Sequence, residues 1–373
     1  MPAFRAAGAR GATGDGGRRH RGRDGGGGRG GRVRTRFCRR SGGRAMSGET
    51  SAAPAVSVLM TVHNAGRFLA PAVRSVLAQT RTDFELLVLD NASTDGAVPA
   101  WVGAGLDPRV SLERAEQNLG IAAGTNRLAA RARGRFVAVL DHDDELAPEK
   151  LARQVAWLEA QPAAAGVAAR THLIDAEGRK LGGDFTLPNA AEYRAFTAYS
   201  QAANFGSHLF RREWFARFPR REAFPFSSDF DFVARVAEAA EIGVIPEVLF
   251  RYRVHGAQTT QRRRPAQIAD EVLIRILTAR RRAGAAEPMA ELPGWRERLA
   301  AAEPGRIWLR AARLCRELGL PELAAYHARR AAGAGYPVRA QAAALGALRD
   351  PRAARLFFTG PLRTHGLHPW PPR

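Results

Sequence analysis

Cysteine and lysine are scarce in this chain: 373 residues hold only Cys38 and Cys315, and only Lys150 and Lys180. The two cysteines lie far apart, in segments of different character, which excludes a disulfide framework and a cysteine metal site and suits a reducing compartment. No apolar run reaches the roughly 18 residues that a membrane span needs, and the N-terminus lacks the apolar core of a secretory signal. The expectation is a soluble, cytoplasmic protein, with room left for peripheral association at the inner face of the membrane. No G-x-G-x-x-G follows a candidate strand, which removes the dinucleotide-binding signature and leaves little for hydride chemistry.

The formal net charge is +21, a value that suggests a nucleic-acid partner until it is located along the chain. Residues 1–45 carry 13 Arg against two Asp, which accounts for +11 of it, together with 14 Gly. Such a stretch buries too little apolar surface to offset chain entropy. Residues 1–50 therefore read as a disordered tail. Two accounts of it stand. Arg21–Arg32 resembles an RNA-binding tail, while Met46 opens a second start just before the first strand, which would make residues 1–45 a gene-start artefact. The second is preferred, and nucleic acid is disfavoured as a partner.

From Val56 onward, short apolar runs alternate with amphipathic stretches. Strands are expected at 56–62, 84–90, 109–115 and 135–141, with helices at about 66–78, 121–133 and 148–160. This is the rhythm of an open α/β sheet with parallel strands. A strand at 166–174, a turn at 175–178, a helix at about 229–240 and a strand at 248–255 complete a domain over 51–260. After 261 the sequence is rich in Ala, Arg and Leu at helical spacing, so 261–373 reads as a helical appendix of four or five helices. Breaks are expected at Pro288, Pro293, Pro304, Pro321 and Pro337, and the last dozen residues look unstructured.

Ligands of such sheets bind beyond the carboxyl ends of the strands. Here those ends are all polar: Thr61-Val-His63-Asn64, Asp90-Asn91-Ala-Ser-Thr-Asp95, Glu116-Gln-Asn118 and Asp141-His-Asp143-Asp144. Three carboxylates within four residues repel one another unless a cation or solvent intervenes. Mg²⁺ or Mn²⁺ takes oxygen ligands and keeps positions open for phosphate, so Asp141 and Asp143 are candidate metal ligands. The bland account is a solvated loop whose acids favour the next helix N-terminus. His142 points to the opposite face of an extended segment and is set aside.

Taken in order, these segments resemble the family 2 glycosyltransferases of the GT-A fold over roughly 56–260. Val56–Asn64 is similar to the family's opening strand. Phe84-Glu-Leu-Leu-Val-Leu-Asp90-Asn91-Ala-Ser-Thr-Asp95 resembles its base- and ribose-holding strand, with Asn91 where a second acid often stands. Asn118-Leu-Gly-Ile-Ala-Ala-Gly-Thr-Asn126 resembles the segment before the metal strand, with Thr125 where an arginine is common, so one donor-phosphate contact would be lost or pass to Arg127. Ser228-Asp229-Phe-Asp231 resembles the acceptor-side motif, with Ser228 in place of an acid. Arg251-Tyr-Arg253-Val-His255 resembles the closing strand.

The resemblance implies an inverting, metal-dependent transfer of a sugar from a nucleoside diphosphate donor to a glycan or lipid-linked acceptor in bacterial surface polysaccharide synthesis. Asp229 would be the general base. Thr61, His63, Asn64, Asp90, Asn91, Asp95, Asn118, Asn126 and Arg253 would hold the donor, and Asp141, Asp143 and His255 the divalent metal. Several have a plainer account. Asn118 and Asn126 serve as cap or satisfied helix amide, Asp229 as a first-turn acid, and Arg253 and His255 as ordinary surface or core residues, while Asp231 pairs with Arg235 at i,i+4. A nucleotidyltransferase is the rival enzyme, although Asn64-Ala-Gly-Arg67 is too short for its Gly-rich basic loop. A non-catalytic sugar-nucleotide or RNA binder is the rival outside catalysis.

Overall fold

The computed structural model describes residues 53–185, 193–301 and 303–335, except 195 and 198. The expectations for 1–50 and for the chain from 336 onward, Pro337 included, lie outside the described residues.

Strands β1 (Val56–Val62), β2 (Phe84–Asp90), β3 (Val110–Arg114) and β4 (Phe136–Val139) form the first half of the sheet, in the order β3-β2-β1-β4 and all parallel. β1, β2 and β4 read as near-continuous apolar runs because helices cover both of their faces. Leu69, Ala72, Val73 and Val76 of α1 (Leu69–Leu77) and Leu151, Val155 and Leu158 of α4 (Lys150–Ala160) cover one face. A short helix, α2 (Ala97–Gly103), follows β2, and α3 (Gly120–Ala129) follows β3.

The second half of the sheet is mixed. β4 pairs antiparallel with β8 (Leu209–Arg211), which pairs antiparallel with β6 (Gly166–Ile174). β6 runs parallel to β9 (Ile242–Arg253), and β5 (Glu145–Leu146) and β7 (Lys180–Phe185) pair antiparallel with β9 and β6. Parallel pairing therefore dominates only the half that carries the βα rhythm. β9 starts six residues earlier than the sequence suggested. Its alternation is broken by register shifts against β6 near Ala169–Thr171.

The second face of the sheet packs on α3, α5 (Glu213–Arg217) and α6 (Ser228–Ala239), with Leu128, Trp214, Phe215, Phe232, Val233 and Val236 in one apolar cluster. The opposite side of α6 gives Phe230 and Ala234 to a separate cluster, with Ile268, Val272, Leu273 and Ile276 of α8 (Arg264–Arg282). A single turn, α7 (Thr259–Arg262), leads into α8, and α9 (Leu292–Leu299), α10 (Pro304–Glu317) and α11 (Pro321–Gly333) complete this layer. Pro293, Pro304 and Pro321 open helices rather than end them, as fits a residue whose missing N–H costs nothing in a first turn. Cys315 lies buried on α10, where burial pushes its thiol up to about 12. Among the described residues no helix is long and apolar enough to cross a membrane.

Candidate active site

The order β3-β2-β1-β4 reverses direction at β1, so the loops after β1, β2 and β4 open on one crevice. Register aligns their ends. Val62 lies opposite Asp90, Asn91 N–H donates to Val62 O at 2.7 Å, and Leu140 N–H donates to Leu59 O at 2.9 Å.

The first two loops are stitched together by their polar side chains. Asn64, in the left-handed region at φ 53, accepts Thr94 N–H on Oδ1 at 2.8 Å, and Asp95 Oδ2 accepts Gly66 N–H at 2.7 Å. His63 Nδ1 lies 2.9 Å from Asn91 O. Asp90 is buried, accepts Ser93 N–H on Oδ1 at 2.8 Å and lies 3.6 Å from Arg114. Asn91 is 2% exposed; its Oδ1 accepts Leu119 N–H at 2.8 Å and its Nδ2 donates to Asn118 Oδ1 at 3.0 Å and Gly120 O at 3.4 Å. As placed, Asn91 and Asn118 fasten the end of β2 to the start of α3. Thr61 lies against α3 at Gly124, where an added Cβ would meet Thr61 Cγ2 at 2.8 Å.

Asn126 binds the backbone of Arg220 in both directions, donating from Nδ2 to its O at 2.8 Å and accepting its N–H on Oδ1 at 2.9 Å. This grip brings in a residue that motif reading missed. The Arg220 side chain is buried. It donates from Nε to Ser228 Oγ at 3.1 Å and from Nη1 to Thr125 Oγ1 at 3.0 Å, and it stacks 5.0 Å over the Phe205 ring. Burial pulls its pKa down, while the charges of Asp229 and Asp141 hold it up. Thr125 and Ser228, two of the three departures from the family pattern, are thus the two hydroxyls that hold this guanidinium. Arg127, to which the lost contact was expected to pass, ion-pairs with Glu113 of β3.

The acidic loop after β4 is crowded. Burial, then the charge of Asp143, pushes the Asp141 carboxyl up to about 6, against the pull of Arg220 and His142. Asp143 is half-buried, which raises it, but His255 Nε2 at 3.0 Å and the neighbouring imidazole charges bring it below its ordinary value. Asp144 is pushed well up by burial and by Asp143 and Asp141, and accepts Arg253 N–H at 2.8 Å. Arg253 is 2% exposed. It donates to Asp143 O at 2.8 Å and Asp175 O at 3.0 Å and pairs with Glu145, while Phe68 lies beneath both its guanidinium and the His255 ring. It braces the acidic loop and bears on Asp144, whereas the guanidinium that bears on Asp141 is that of Arg220. His142 rests near Thr61 O at 3.4 Å.

Asp229 occupies the first turn of α6, and its Oδ2 accepts Gln201 Nε2 at 3.0 Å. Its charge bears on both Asp141 and Arg220. Asp231 points away and is fully buried, pairing with Arg235 at 2.7 Å and Arg221 at 3.6 Å. Gln201 was not foreseen either. Its segment has no periodicity, and its contact with Asp229 spans 28 residues.

Residues 57–218 match the family model described as glycosyl transferase family 2. This stretch, under half of the chain, carries the sequence pattern of that family. Among curated proteins it is 37% identical over 108 residues to EpsE of Bacillus subtilis (strain 168), a stretch covering 28% of this chain and 39% of that one. It is 35% identical over 128 residues to the succinoglycan biosynthesis protein ExoO of Rhizobium meliloti (strain 1021), covering 34% of this chain and 36% of that one. The chain thus spans under half the length of either relative. Among solved structures, S. aureus TarS 1-349 in complex with UDP-GlcNAc superposes with a TM-score of 0.52 at 15% identity, covering 82% of this chain and 92% of that one. That likeness shows the shared GT-A-type fold.

Proposed function

We propose that this chain transfers a sugar from a nucleoside diphosphate sugar to an acceptor hydroxyl, with inversion, in the synthesis of a bacterial polysaccharide. One arrangement carries the reading: Asp229 stands at the start of α6, held by Gln201, with the buried Arg220 cation bearing on both it and Asp141.

An inverting transfer breaks the bond from the anomeric carbon to the diphosphate oxygen, whose electron pair leaves with the diphosphate. The acceptor oxygen bonds to that carbon from the opposite face, and its proton passes to a carboxylate. Asp229 keeps Oδ1 clear of hydrogen bonds from described residues, so that oxygen is the one to take the proton. Arg220 places fixed positive charge where negative charge gathers on the leaving group. The crevice over 61–64 and 90–95 would hold the nucleoside, with Thr61, His63, Asn64, Asp90 and Asp95 forming its walls and Asn91, Asn118 and Asn126 fixing their shape.

The donor set suits a divalent cation: Asp141 and Asp143 offer hard oxygen ligands, and His255 approaches Asp143 within hydrogen-bond distance. No group of three such side chains among the described residues already stands at metal-binding spacing. We assign Asp141, Asp143 and His255 as the residues that would hold Mg²⁺ or Mn²⁺, which when bound neutralises diphosphate charge. The test is nucleoside diphosphate release from UDP-, GDP- and dTDP-sugars with Mn²⁺ or EDTA, using the full chain and Asp143→Ala. Metal-dependent release from one donor, lost in the variant, supports the reading, whereas the absence of nucleotide binding overturns it.

A further inference from the structure

Beside Asp229, a cavity of about 110 Å³ opens between the 200–204 segment, α6, α8 and α11. One water needs about 10–15 Å³ by the same measure, so the hydroxyl-bearing edge of a sugar ring has room there. Gln201, which holds Asp229, lines the cavity, and so does Gln267 of α8.

The charged groups of the lining are engaged. Glu271 lies 2.9 Å from Arg275 and 3.7 Å from Arg264. Arg275 also donates to Tyr199 O, and Arg264 donates to Gln267 Oε1 at 3.2 Å. Arg330 lies 5.1 Å over the Trp308 ring and has a further interaction besides.

Neutral groups are what remain, and hydrogen-bond chemistry sets how the two glutamines face. A carboxylate only accepts, so Gln201 turns its amide nitrogen to Asp229 Oδ2, at 3.0 Å, and leaves Oε1 as a free acceptor. A guanidinium only donates, so Gln267 turns Oε1 to Arg264 and leaves Nε2 as a free donor. The side-chain amide of Asn204 and the hydroxyl of Ser200, on the same lining, have no hydrogen-bond partner among the described residues. All four residues are half-buried, and these free atoms are not fully buried, so each retains accessible surface. A cavity built for an anion turns donors inward. Here a fixed acceptor and a fixed donor share one lining with two groups that do both, and that set suits a hydroxyl, which both gives and takes a hydrogen bond.

We propose that this cavity receives an uncharged sugar unit of the acceptor, with its hydroxyls held by Gln201 Oε1, Asn204 and Gln267 Nε2. Gln201 then ties the position of the acceptor to the orientation of Asp229, and α8 takes part in choosing the acceptor. The proposal rests on the transfer reaction proposed above, but its binding test stands apart from turnover.

The full chain is titrated calorimetrically with the methyl glycosides of glucose, galactose, mannose and N-acetylglucosamine, and with methyl glucuronide and glucose 6-phosphate. Two variants are titrated alongside: Gln267→Glu removes the free donor while keeping an oxygen on Arg264, and Asn204→Ala removes the free amide. At least one neutral glycoside should bind more tightly than either anionic probe, and each variant should weaken it by about tenfold, the order of one hydrogen bond. Failure of every neutral glycoside to bind, a preference for an anionic probe, or an affinity unchanged in both variants overturns the proposal. UDP and GDP are titrated in the same preparation. Absence of nucleotide binding alone would count against the transferase reading and leave the sugar site standing.

Discussion

Arg220 is held by two hydroxyls, Thr125 Oγ1 and Ser228 Oγ, in a place that neither motif discloses. Removing its charge leaves Asp141 and Asp229 facing each other uncompensated. Arg220→Gln is expected to lower kcat by about 10²-fold, in line with the loss of one positioned donor, while nucleotide affinity measured by calorimetry changes far less. A variant with wild-type kcat would remove Arg220 from the site. Asp229→Asn should abolish acceptor-dependent transfer while leaving donor binding intact, and equal transfer rates would reassign the base. The carboxylates were legible in the sequence because Asp141, Asp143 and Asp229 sit in short motifs at an expected strand end and helix start. Arg220 and Gln201 were not, because long-range contacts decide their roles and the run Pro219-Arg-Arg-Glu222 reads like any solvated turn.

At the level of elements, the closeness of α3 to β1 depends on Gly124. A methyl there would meet Thr61 Cγ2 at 2.8 Å, whereas at Gly103 an added Cβ finds nothing within 4 Å. Gly124→Ala should destabilise by about 1–3 kcal/mol through overpacking, and Gly103→Ala should be neutral or stabilising by up to about 1 kcal/mol. Urea denaturation of both distinguishes them, and equal midpoints would contradict the packing. The first residue of α4 makes a different commitment. Lys150 is fully buried, donates to Gln154 Oε1 at 2.7 Å and His208 O at 3.0 Å, and burial lowers its pKa to about 7. Between pH 7 and 9 the unfolded chain holds a proton here that the folded chain has shed, so this group makes stability rise with pH, by up to about 1.4 kcal/mol per unit. Lys150→Met should flatten that slope in denaturation series at pH 7, 8 and 9. An unchanged slope would mean that the ammonium stays charged in the fold. The parallel strands and their helices were readable because each has a full amphipathic or apolar run. β5 and β8, of two and three residues, carry no period of their own and exist only through their partners.

Across the whole molecule, α6 lies on the seam between two apolar clusters, sending Phe232, Val233 and Val236 into one and Phe230 and Ala234 into the other. The helices after 261 therefore do more than follow the sheet; they cover the far side of the helix that carries Asp229. Truncation after residue 262 should expose Phe224 and Phe230 and abolish cooperative melting, and a soluble truncated chain with an unchanged thermal transition would refute this. Amphipathic spacing announced these helices, but it held no information about which surface they would meet.

The shared hold on Arg220 also bears on how this scaffold is altered. Positions 125, 220 and 228 behave as a single exchangeable part, because one guanidinium fills the space that all three border. A chimaera that imported an arginine at 125 while keeping Arg220 would crowd two cations into that space. The same import accompanied by a small neutral residue at 220 would return the charge by another route. Swapping segments between relatives at this crevice therefore works only when loops almost a hundred residues apart travel together.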